Sequence, residues 1–139
     1  DTMSYGSKTI ARVALRMAIS ETRADDGKKK KKNTELGIQS AAVDFGGEYL
    51  ASINKIVEHA IVAARREGII GDAHSEVGAV AGATREALSQ IQNKAIGLNV
   101  GGKLGIARYK DHLSIAVFLG VGLLHLDEVG VALAHRTIN

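Results

Sequence analysis

No cysteine occurs among the 139 residues, and tryptophan is absent as well. The first absence rules out a disulfide framework and a thiolate zinc site. It also suits a reducing cytoplasm, the compartment this chain is expected to occupy. Aromatic residues are 4% of the chain against 45% hydrophobic, so a core must be built from Ala, Val, Ile and Leu. The longest uncharged apolar stretch, Leu113 to Leu126, is shorter than the roughly 20 residues that a membrane-spanning helix needs. Charges interrupt the apolar residues between Ser7 and Arg23, so that stretch does not read as a secretory leader. A chain of this length can bury a core without staples, and one domain over 3–139 is expected.

What is present is unevenly charged. The net charge is +3, but Lys28 to Lys32 form one run of five lysines, and without it the remainder carries −2. Composition alone therefore does not argue for nucleic acid, whose electrostatic footprint is basic charge spread along a folded face. The run reads as part of a flexible, solvated loop at 24–33. The functional alternative is an electrostatic arm for phosphates.

Hydrophobic periodicity divides the rest. Ser7 to Glu21 reads as a helix with Ile10, Val13, Ala14, Leu15, Met17 and Ala18 on one broad apolar face and Arg12, Arg16 and Arg23 elsewhere. Leu36 to Phe45 alternates like a strand and ends at Gly46-Gly47. Glu48 to Arg66 has helical spacing at Leu50, Ile53, Val57, Ile61 and Ala64, with Gly68 suited to the C′ position. Asp72 or Ser75 can cap a further helix running to about Asn93, with Glu76 favouring its first turn. Its small residues Gly78, Ala79, Ala81, Gly82 and Ala83 suggest a close helix–helix or subunit contact. Lys103 to Tyr109, Leu113 to Gly120 and Val129 to Arg136 are strand candidates, the first two joined as a hairpin across Lys110-Asp111-His112. No helix fits between these strands, so they should be antiparallel.

Few motifs carry chemistry. Gly97 to Lys103 spells GxxxxGK, but Leu104 stands where a magnesium-binding hydroxyl belongs, and the segment leaves a helix to open a strand, the reverse of a phosphate-binding loop. There is no GxSxG and no HExxH. Paired carboxylates, a nucleophile–base pair and metal-ligand spacing are all missing, so no enzyme is expected. Of the five histidines, His59 reads as a helix-surface residue and His112 as part of a turn. His74, His125 and His135 lie at element ends that could meet, and imidazole is the commonest metal ligand.

Several segments follow in a recognisable order. They are Gly68-Ile69-Ile70, Ala83-Thr84-Arg85-Glu86-Ala87-Leu88, Val100-Gly101 with Lys103, Ile115-Ala116-Val117, and Val129-Gly130-Val131 with His135. With the opening helix from Ile10 to Glu21, this set resembles the HutP family, RNA-binding antiterminators of histidine-utilisation operons. The resemblance implies an α/β (α+β) fold, with a four-stranded antiparallel sheet and helices on both faces. It further implies a homohexamer that binds single-stranded RNA of an mRNA leader and so prevents a terminator hairpin. It implies gating by L-histidine and a divalent metal such as magnesium.

The family's metal is held by histidines, two of them one turn apart on the helix that here contains Ala83 to Leu88; in this chain the two positions are Gly78 and Gly82. The remaining candidates for metal are His74 and His125, the latter near the family's third ligand. The family reads RNA partly through a polar residue before the Val-Gly pair; Asn99 stands there, with Lys103 close by for a phosphate. Two rival readings are a small-molecule-sensing oligomer on the same scaffold without RNA binding, and an enzyme with its site between subunits.

Overall fold

The computed structural model describes residues 7–20, 32, 34–46, 53–93 and 102–119. Three helices and three strands lie in these stretches: α1 (Ser7–Ser20), β1 (Ile38–Phe45), α2 (Ile53–Arg66), α3 (His74–Asn93), β2 (Gly102–Tyr109) and β3 (His112–Leu119). The strands form an antiparallel sheet in the order β1-β2-β3. The mixed helix and antiparallel-sheet architecture is the expected one. The proposed fourth strand, Val129 to Arg136, lies outside the described residues, as does most of the 24–33 loop. Lys32 is described and is exposed, but it is helical rather than loop: with Thr34 and Glu35 it forms a short turn of helix in which Leu36 N–H donates to the Lys32 carbonyl (3.0 Å).

The sheet is the middle of three layers. On one face Ala41, Val43, Phe45, Leu104, Ile106, Leu113, Ile115 and Val117 pack with Ile56, Ala60, Ala63, Val80, Ala83, Ala87 and Leu88 of α2 and α3. On the other face Ile38, Ala107 and Ala116 pack under Ile10, Val13 and Ala14 of α1. Fully burying one Ile or Leu contributes about 1.5–3 kcal/mol, and nine large side chains are all but completely buried. Covering both faces explains why β3 is apolar at successive positions rather than alternating. Within Leu113–Val117 the chain's own helices bury this apolar run.

Gly105 lets the α1 layer approach. An added Cβ there would overlap the Ala14 carbonyl, so α1 crosses β2 backbone against side-chain-free backbone. Among the small residues of α3, Ala79 and Ala83 carry the inward packing, whereas Gly78 and Gly82 face outward with nothing within 4 Å. Within this chain the close helix contact is made by the alanines, and the glycines lie on the opposite, outward side of α3.

Local signals are met with small corrections. Gly68 has φ +73, with Gly68 N–H donating to Arg65 C=O (3.1 Å) and Ile69 N–H to Ala64 C=O (2.8 Å), the paired bonds that close a helix at a C′ glycine. β1 begins at Ile38 rather than Leu36, because Gly37 adopts φ +83 and Leu36 lies in the turn before it. Neither Asp72 nor Ser75 caps α3: the helix opens at His74, with the Ala73 carbonyl accepting from Glu76 and Val77 N–H. The hairpin turn is Lys110-Asp111 alone, and His112 belongs to β3, paired with Tyr109. Lys110 has φ +57, the sign required at the first central residue of the turns that match strand twist.

Candidate functional site

Lys103 is the one described residue of the two proposed to contact RNA; Asn99 lies outside the described residues. Side chains alternate along a strand, so Lys103 shares a face with Gly105, the face that α1 covers. Register sets Asp44 of β1 directly opposite. The Lys103 Nζ and Asp44 Oδ1 are 3.0 Å apart, with the lysine side chain 25% exposed. An ion pair open to water contributes little, up to about 1 kcal/mol. Its larger effect is to hold the lysine head at the edge of the sheet, because β1 is an edge strand among the described residues.

A groove of about 390 Å³ runs along that edge. Ala42, Val43 and Asp44 form one wall; Glu58, His59, Val62, Ala63 and Arg66 of α2 form the other. Glu58, Val62 and Arg66 recur at four-residue steps, which places them on one side of the helix. Val62 is 58% exposed, an apolar side chain outside the buried stripe of Ile56, Val57, Ala60, Ala63 and Ala64. The groove therefore offers an apolar surface, an imidazole, a guanidinium and two carboxylates. Its size falls in the range of small-ligand sites, about 300–1,000 Å³. A flat group with an apolar face and hydrogen-bonding edges matches that set of side chains.

The sequence had singled out Lys103 but not Asp44, His59 as a lining residue, Val62 or Arg66. One signal was available for Val62, which interrupts the polar side of an otherwise regular amphipathic helix. Asp44 had none, since only the pairing of β1 with β2 brings it to Lys103.

A second cavity, of about 210 Å³, lies where α3 starts, lined by Ile70, Ser75, Glu76, Ala79, Arg108, Asp111 and Leu113. Its charges serve the fold. Arg108 Nη1 donates to Glu76 Oε2 (2.8 Å) and to the Ile69 carbonyl (2.9 Å), and Arg108 Nε donates to the Lys110 carbonyl. One guanidinium thereby ties the first turn of α3, the α2–α3 connection and the hairpin turn together.

The proposed metal residues are not brought together by the described part of the chain. His74 is the first residue of α3 and is exposed; His125 lies outside the described residues. One and two turns after His74 stand Gly78 and Gly82, which have no donor atoms. Among the described residues no group of three His, Cys, Asp or Glu side chains could hold a metal ion. Of the two proposed ligands only His74 is described, and no other described side chain completes a site around it. His74 and Lys103 are also on opposite sides of the sheet, since α3 packs on the face away from α1. The GxxxxGK segment, so far as it is described, enters a strand: β2 opens at Gly102.

No described helix is long and apolar enough to cross a membrane. The family model described as HutP matches residues 10–136. Among curated proteins, none matches the chain.

Proposed function

The chain belongs to the HutP family, and on that premise we propose that it is an RNA-binding regulator of transcription antitermination rather than an enzyme. The observation that carries this reading is the edge groove beside Lys103. Sequence-specific RNA recognition works on unstacked bases, which are held by stacking and read through hydrogen bonds to their edges. The groove supplies an apolar surface at Val62 and Ala63, a ring at His59 for stacking, and acceptors and donors at Asp44, Glu58 and Arg66. Lys103, held at its rim by Asp44, offers charge to a phosphate. Asn99, four residues before Lys103 in sequence, offers both a donor and an acceptor to a base edge.

The finer family properties belong to the same proposal: a single-stranded mRNA leader as target, a homohexameric assembly, and control by L-histidine with a divalent metal through His74 and His125. The RNA-binding step is assigned here to the groove and its rim, and no part of it passes through a metal.

Filter binding against random and enriched single-stranded RNA pools, with and without L-histidine and magnesium, tests the reading. Asn99→Ala is expected to weaken binding to the preferred sequence only. Lys103→Gln is expected to weaken all sequences and to flatten the salt dependence. If no pool is enriched, or neither substitution changes affinity, a small-molecule-sensing oligomer becomes the better account. Loss of a magnesium effect in a His74→Ala, His125→Ala double variant would assign those residues to the metal.

A further inference from the structure

The α1 layer is charged in a way that its own stability does not explain. Helices are favoured by anions in the first turn and by opposite charges four residues apart. α1 breaks both rules. It contains no acidic residue, its second position is Lys8, and Arg12 and Arg16 form a like-charged pair at four-residue spacing. α2 and α3 do contain acids, at Glu58 and at Glu76 and Glu86.

The packing leaves this charge on the outside. Ile10, Val13, Ala14 and Met17 face the sheet and are buried, while Arg12 and Arg16 are exposed. One turn of helix separates the two, a rise of about 6 Å. Arg16 is also engaged within the chain, so what matters is the sign of the face rather than an unengaged group. The surrounding sequence has the same sign: residues 7–32 contain nine of the eighteen Lys and Arg residues and three of the fifteen Asp and Glu. Lys103 belongs to the same side of the sheet, two residues before Gly105, where α1 crosses.

We infer that the outer face of α1 is a contact for the RNA phosphate backbone, reached on the same side of the sheet as Lys103. This rests on the RNA-binding reading and adds to it a second, sequence-independent surface. A polyanion complements the like charges of Arg12 and Arg16 and of a first turn that lacks an acid. Guanidinium groups suit the role, since their planar forks match phosphate oxygens. Such contacts position an RNA without reading it.

The test uses the full chain and two double variants, Arg12→Gln/Arg16→Gln and Arg12→Lys/Arg16→Lys, with Lys103→Gln alongside. Affinity is measured over a range of salt for random-sequence and enriched single-stranded RNA. Each phosphate contact on a single strand contributes about 0.7 to the slope of log affinity against log salt, so the Gln pair should lower the slope by about 1.4. The loss should be equal for both RNAs, and the Lys pair should keep most of the slope. Both positions are exposed, so both variants should remain folded, as thermal melts check. An unchanged slope in the Gln pair, while Lys103→Gln still weakens binding, overturns the α1 contact and leaves the RNA reading standing. A loss confined to the enriched RNA, a changed sedimentation mass, or lost binding to anionic lipid vesicles without lost RNA affinity also overturns it. If the parent protein binds neither RNA, the RNA reading itself falls and the α1 contact with it.

Discussion

At Gly105 the backbone of β2 passes directly beneath the Ala14 carbonyl, and no side chain fits between them. Gly105→Ala must push α1 away from β2 and β3, opening the packing of Ile10, Val13 and Ala14 on Ala107 and Ala116. Overpacking typically costs about 1–3 kcal/mol, and because the obstacle is backbone, a loss of about 3 kcal/mol is expected. Urea unfolding measures it; a change under about 0.5 kcal/mol, the level of ordinary surface substitutions, would show that α1 does not cross so closely. Other single residues were harder to place from sequence. Nothing local marks Asp44 as the partner of Lys103, and Leu36 is held out of the strand by its bond to the Lys32 carbonyl and by the positive φ of Gly37.

At the scale of elements, helices and strands depend on interactions within a few residues, and those were readable. α1, α2 and α3 fall inside the stretches with helical spacing, and the Gly68 terminus closes α2 as its type predicts. The start of α3 was misplaced because a good capping residue is only a candidate: the Arg108–Glu76 pair and the Ile69 carbonyl help to hold the first turn, and no cap from Asp72 or Ser75 is used. The lysine run is an element of another kind. Deleting Lys28 to Lys32 should leave the melting temperature unchanged and weaken RNA binding evenly across sequences. At about 0.15 M salt the screening length is roughly 8 Å, so the run acts only on phosphates close to it. Thermal melts and salt-dependent binding measure the two effects; a sharp fall in melting temperature would show that the run packs on the fold.

For the whole molecule, the family assignment suggests an assembly, and the described burial changes which residues could make it. The apolar positions Leu113, Ile115 and Val117 are consumed by the chain's own α2 and α3 layer, so they are not free for a neighbour. A homohexamer would have to use outward surfaces instead. Sedimentation equilibrium is expected to give six times the 14.6 kDa chain mass. A monomer mass at micromolar concentration would remove the hexamer while leaving the single-chain groove intact.

The sequence by itself determined the α/β class, the three helices, the hairpin of β2 and β3, the glycine stop after α2 and the kinship with one family. Those features follow from periodicity, turn chemistry and order along the chain, all of which act over short separations. Tertiary structure alone decided which helix covers which face, that Lys103 meets Asp44, and that Val62, His59 and Arg66 share a groove with the edge of β1. It also set the cations of α1 and Lys103 on one side of the sheet. Each of these depends on strand register or on which helix crosses which strand, and such pairings join residues far apart in sequence whose local surroundings carry no trace of one another.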